Sequence, residues 1–161
     1  MAIEIERKFL IKHIPLNLVK YSHHIKQGYI VNDSQKVIRV RKKANQYYLT
    51  IKGNTIGISR SEFEYAIPKN DAENLFDQFC LSGIIEKTRH YVANKNHLWE
   101  IDEFHGENDG LIVAEIELDS IQASYTMGAM TVSAARTETD NTGGASGETA
   151  EETQISVSFA F

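Results

Sequence analysis

Hydrophobic and polar residues alternate almost one by one along much of the first 118 positions. Successive side chains of a strand point to opposite faces, so alternation at period two predicts short strands. The runs are Ala2–Phe9, His24–Val31, Lys36–Lys43, Gln46–Lys52, Ile58–Ile67, Ile85–Val92, His97–Phe104 and Leu111–Leu118. Turn-forming residues separate most of them, as at Asn32-Asp33-Ser34, Gly53-Asn54 and Glu107-Asn108-Asp109-Gly110. One interruption has helical spacing: Ala72, Leu75, Phe76 and Phe79 form an apolar stripe between Asn70, an expected N-cap, and Gly83, an expected terminator. Eight strands and one amphipathic helix predict a mainly β (α+β) domain, a small antiparallel barrel wide enough for one small ligand.

The polar face of these strands is charged. Glu4, Glu6 and Lys8 share a face of the first strand, and Arg39 with Arg41 share one of the third. Lys52 follows on the fourth, Glu62 and Glu64 on the fifth, Lys87 and Arg89 on the sixth. Glu100 with Asp102, and Glu115 with Glu117, complete the pattern. A single such pair is ordinarily the solvated face of an amphipathic strand. Six of the eight strands carry two or three charges at this spacing, mostly of one sign per strand, and a seventh carries one. Periodicity alone does not say whether that face lines a barrel or coats a sandwich. Blocks of one sign favour an interior in which cations grip a polyanion and carboxylates hold metal ions.

Charge is uneven along the chain. The net of −5 belongs entirely to residues 119–161, because the first 118 residues hold 16 basic and 16 acidic side chains. A neutral first part gives no reason to expect a nucleic-acid partner. The single Cys80 excludes an internal disulfide and fits a reducing compartment. No run approaches the ~20 apolar residues of a membrane helix, so residues 1–118 are expected to be cytoplasmic and off the membrane.

The motif Glu4-Ile5-Glu6-Arg7-Lys8, with Ile38-Arg39-Val40-Arg41, Leu49-Thr50-Ile51-Lys52, Ser59-Arg60-Ser61-Glu62-Phe63-Glu64, Glu86-Lys87-Thr88-Arg89 and Val113-Ala114-Glu115-Ile116-Glu117, resembles the triphosphate tunnel metalloenzymes, or CYTH domains. The resemblance covers about residues 1–118 and implies an eight-stranded tunnel that hydrolyses tripolyphosphate, or a nucleoside or thiamine triphosphate, with Mg²⁺ or Mn²⁺. It implies that Glu4, Glu6 and Glu115 hold a metal. Glu62, Glu64 and Glu117 would hold a second metal or activate water. Lys8, Arg39, Arg41, Lys52, Lys87 and Arg89 would bind the triphosphate. Asp102 is expected on the tunnel wall and Tyr29 in packing or function, whereas the six histidines show no metal-ligand spacing. An adenylate cyclase-like enzyme, or a nucleotide- or polyphosphate-binding module without catalysis, would share the same residues, and a homodimer is left open.

Residues 119–161 differ in kind. They lack Lys and Pro, contain a polar stretch from Thr137 to Thr153, and end on an alternating segment of Ile155, Val157, Phe159 and Phe161. The small family members carry a closing C-terminal helix here, whose pattern is absent. The segment instead resembles the last strands of an outer-membrane porin, which points to a chimera with a largely disordered acidic tail. Loss of the closing helix is expected to weaken substrate retention and activity.

Overall fold

A computed structural model describes residues 3–81, 83–121, 123–125 and 132–135. Among these residues nine strands form: β1 (Ile3–Ile11), β2 (Val19–Asn32), β3 (Val37–Lys43), β4 (Gln46–Lys52), β5 (Ser59–Ala66), β6 (Ile84–Asn94), β7 (His97–Phe104), β8 (Ile112–Glu117) and β9 (Val132–Ala135). One helix, α1 (Lys69–Phe79), follows β5. Neighbouring strands run antiparallel in the order β5-β4-β3-β2-β6-β7-β8-β1, and β5 pairs back onto β1. The eight expected strands therefore close into the expected barrel.

The barrel is inverted with respect to an ordinary core. Its even-numbered β1 residues and the matching charges of the other strands face inward, so the apolar alternates point out and must be covered from outside. Phe9, Trp99, Ile101, Ala114 and Ile116 form one buried outer cluster beneath Ile14, Leu18, Ala123 and Tyr125. Val40 forms a second with Ala72, Phe76 and Cys80, beneath α1. Of the apolar stripe read from the sequence, Ala72, Leu75 and Phe76 seat this helix on β2, β3 and β4, while Phe79 stays exposed.

Several boundaries differ from expectation. The helix begins after Pro68, whose extended φ of −60° and ψ of 147° start it without a side-chain cap, so Asn70 lies inside the first turn. It stops at Cys80 rather than at Gly83. Strand β2 begins five residues before His24 because it pairs with β6 back to Val19. The hairpins β3–β4 and β6–β7 turn through Ala44 and Lys95 at φ 52°, the left-handed conformation that tight hairpins need.

Gly28 sits under the helix, and a Cβ there would lie 2.7 Å from the Cβ and Sγ of Cys80. Gly28→Ala is expected to lower stability by about 1–3 kcal/mol, because overpacking must lift α1 from the sheet. Thermal denaturation checks this, and an unchanged midpoint would mean that the helix yields freely.

The tail contributes one described element. Strand β9 pairs with β1 at Phe9, Leu10 and Ile11, on the edge that β5 leaves uncovered. The Thr137–Thr153 stretch and the alternating end at Ile155–Phe161 lie outside the described residues.

Candidate active site

Seven of the eight barrel strands send charge into one cavity of about 560 Å³, and β2 adds the polar Gln27, Tyr29 and Asn32. Glu4, Glu6, Lys8, Arg39, Arg41, Lys52, Glu62, Glu64, Lys87, Arg89, Glu115 and Glu117 all line it. All twelve side chains given metal, water or phosphate roles from the sequence thus meet. Their order around the barrel divides the lumen. Four adjacent strands, β5, β1, β8 and β7, bring the carboxylates. The opposite four, β6, β2, β3 and β4, bring Lys87 and Arg89, Gln27, Arg39 and Arg41, and Lys52.

Ion pairs stitch the two seams between these halves. At the β4–β5 seam, Lys52 Nζ lies 2.8 Å from Glu4 and 2.9 Å from Glu62. At the β6–β7 seam, Arg89 grips Asp102 through Nε and Nη2 at 2.6 Å each, and Lys87 donates to Asp102 at 2.5 Å. Arg89 also donates to Glu115 at 2.7 Å and to Glu100. Asp102 is completely buried and lies beneath these cations instead of on the tunnel wall, which corrects the expectation for it. A carboxylate there fixes the two cations without occupying space needed by a ligand.

Two cations sit within the acidic half. Lys8 Nζ pairs with Glu115 at 2.6 Å and Glu6 at 3.2 Å. Arg60 bridges Glu4 and Glu6 at 2.7 Å each. Arg60 and Glu100, another cavity residue, were not singled out for roles by the sequence reading. Arg60 lies two residues before Glu62, so the period of β5 places it on the same face.

The cationic wall is less well matched. Arg41 reaches Glu64 only at 3.8 Å, and burial together with the charges of Arg39 and Arg89 pushes its pKa down to about 10. Arg39 is 8% exposed, pairs with no carboxylate among the described residues, and keeps its Nε buried without a hydrogen-bond partner. A buried guanidinium in that condition calls for an anion. Lys87 is pushed down to about 8 by burial, against the pull of Asp102.

The carboxylate wall has the converse need. Glu62 is raised by burial and by its hydrogen bond with Glu4, while Glu4 is held down at about 2, against burial, by Glu62 and Lys52. Glu117 is raised by burial and by the charges of Glu4, Glu100 and Glu6. Crowded carboxylates of this kind fit a hard divalent cation, which takes oxygen ligands. Among the described residues no three acidic, histidine or cysteine groups form a ready cage. The donor set therefore suits an ion completed by phosphate oxygens and water, the usual manner for Mg²⁺. None of the six histidines lines the cavity; His90 and His105 bond instead to Ser22 and Thr88 at 2.8 Å each. Tyr29 does line it and accepts a hydrogen bond from Gln27 at 2.9 Å. No helix among the described residues is long and apolar enough to cross a membrane.

Comparison with known proteins agrees with this geometry. An inorganic triphosphatase of Acetivibrio thermocellus is 41% identical over 125 residues, covering 78% of this chain and 80% of the relative. One from Nitrosomonas europaea is 31% identical over 123 residues, covering 75% and 80%. A solved structure of an inorganic triphosphatase superposes with a TM-score of 0.56 at 29% identity, over 81% of this chain and 85% of that one. None of these likenesses supports the porin-like and chimeric reading of the tail. The CYTH domain family model matches residues 2–153, well beyond residue 118, and the chain belongs to that family.

Proposed function

We propose that the tunnel hydrolyses inorganic triphosphate with Mg²⁺ or Mn²⁺, and that residues 1–118 carry the reaction while residues 119–161 are accessory. The observation that carries this reading is the unmatched Arg39 on a cationic wall facing crowded carboxylates across one cavity. Arg39, Arg41, Lys52, Lys87 and Arg89, with Lys8, bind and orient the phosphates. Arginine forks hold two oxygens at once, and the fixed cations spread the charge of the leaving diphosphate. Glu4, Glu6, Glu115 and Glu117 would hold the divalent ion. When bound, that ion neutralises phosphate charge and raises the electrophilicity of the phosphorus. Glu62 or Glu64 orients the attacking water and accepts its proton as the P–O bond breaks. Thr50 donates to Glu64 at 2.8 Å, which fixes the direction of that carboxylate.

Phosphate release from tripolyphosphate with each metal, set beside release from ATP, tests the reading. Turnover of tripolyphosphate that disappears with chelator is expected, and binding without turnover in either metal would reduce the tunnel to a binding module.

Proton linkage gives a separate check. Lys87, held at about 8 in the ligand-free tunnel, loses its charge above that pH, whereas the phosphate-bound form needs the charge. Binding therefore takes up a proton there, and affinity falls as pH rises past about 8, by at most about tenfold per unit. Calorimetric titration of tripolyphosphate in chelator, between about pH 7 and about pH 9.5, reads this directly. A flat affinity across that range would remove Lys87 from the phosphate grip.

A further inference from the structure

The pairing of β1 is broken on one side. Ile3–Ile5 pair with β5 and Phe9–Ile11 pair with β9, while Glu6–Leu10 pair with β8 on the opposite edge. Between β5 and β9, Glu6 keeps one backbone bond, from its N–H to the carbonyl of Ile58 at 3.2 Å, and the register shows no strand partner for Arg7 or Lys8 there. Among the described residues the gap is not filled. It holds a cleft of about 70 Å³ lined by Glu6, Arg7, Lys8, Thr55, Ile58 and Arg60, with Gly57 at its rim. Glu6, Lys8 and Arg60 also line the tunnel, so the cleft and the lumen share one wall.

Charge and size together define what fits. Three cations, Arg7, Lys8 and Arg60, line it with one carboxylate, Glu6. Lys8 and Arg60 are also paired with Glu115 and Glu4, so Arg7 is the cation with no carboxylate partner among the described residues. Arg7 lies outside the tunnel lining, with its guanidinium 5.7 Å over the Tyr125 ring and its Nε buried without a hydrogen-bond partner among the described residues. At about 30 Å³ of liquid volume per water, the cleft accommodates a few waters or one small tetrahedral anion, and it is too small for a triphosphate.

We propose that this seam cleft is a second anion site that takes orthophosphate, the small product of the reaction. The proposal rests on the triphosphatase reading. Arg7 supplies the charge that holds a single phosphate there, beside Thr55 and the 3.2 Å Glu6–Ile58 contact. The longer substrate remains on the arginine wall of the main cavity.

Orthophosphate inhibition of tripolyphosphate hydrolysis tests this in the intact chain. Inhibition of mixed type is expected, because phosphate in the cleft and triphosphate in the tunnel bind together. Arg7→Gln and, on an exposed loop, Thr55→Trp should each raise the phosphate inhibition constant about tenfold, the effect of one charge-assisted hydrogen bond or of filling the cleft. Turnover without added phosphate should stay within about twofold of the parent. Purely competitive inhibition, with the same constant in both variants, would overturn the proposal. If the chain does not hydrolyse tripolyphosphate, the tunnel reading fails independently. Direct ³¹P NMR titration with orthophosphate then decides the cleft: binding weakened by both variants supports it, and binding that is absent or unaltered refutes it.

Discussion

Replacing Asp102 with alanine is expected to cost about 3 kcal/mol or more of folding stability at neutral pH, the scale for breaking a buried ion pair from one side. The Asp102 side chain is 1% exposed, and it is the partner of Lys87 at 2.5 Å as well as of two Arg89 nitrogens. Arg89 retains Glu115 and Glu100 after the change, so the loss falls chiefly on Lys87. Burial already holds Lys87 at about 8, and without the carboxylate its folded-state pKa falls further. The sign of the pH dependence follows. A lysine depressed in the native state binds fewer protons there than in the unfolded chain, so native stability rises with pH until the unfolded lysine also titrates, near about 10.4. The defect of Asp102→Ala should therefore be largest near neutrality and shrink in mild alkali. Tripolyphosphate supplied in chelator should stabilise the variant more than the parent, since it returns negative charge to Lys87. Chemical denaturation at two pH values, with and without tripolyphosphate, measures all three effects. A pH-independent loss would show that packing, and not the stranded cation, sets the cost.

Asp102 also marks where sequence reasoning stops. Its place in the alternation of β7 put it on the inward face, and it is there, but depth along that direction has no signature in a period of two. Arg39, Arg41, Lys87 and Arg89 were legible because each strand carries two cations at i and i+2, and a repeated pair survives small errors in the strand boundary. Arg60 was harder to see. It stands alone in sign beside Glu62 and Glu64, and an isolated residue near the start of a strand depends on the register being right. The choice between a charged lumen and a charged exterior was open on alternation alone, because an inverted barrel and an ordinary sandwich write the same pattern. It is settled by what covers the outside: α1 over Val40, and Ile14 and Leu18 before β2 together with Tyr125 after β8 over Trp99. The extension of β2 back to Val19 and the docking of β9 on β1 are products of pairing between distant strands. Local propensity does not encode such pairing. The seam cleft has the same origin, since it is a gap in register and not a motif.

Arg39→Ala is expected to reduce kcat/KM for tripolyphosphate by about 10²–10³, with little or no loss of stability. The usual expectation for a buried arginine is the opposite, because a buried charge normally anchors a partner whose loss unfolds the protein. Arg39 has no such partner among the described residues, and its charge works against its neighbours: it lowers the pKa of both Arg41 and Lys52. Removing it relieves that repulsion and the cost of an unsatisfied guanidinium, which offsets the packing that is lost. The ligand-bound state loses a fork able to hold two phosphate oxygens, each bond being charge-assisted. Arg39→Lys should recover only part of the activity, since an ammonium returns the charge without the planar fork. Steady-state kinetics beside thermal denaturation separate the two contributions, and the stabilisation that tripolyphosphate gives in chelator should shrink in step with affinity. Activity within a few-fold of the parent would place the phosphates elsewhere. A large loss of stability would mean that Arg39 serves the fold. A stable protein that has lost its grip on tripolyphosphate is what a cation kept unpaired for its ligand requires.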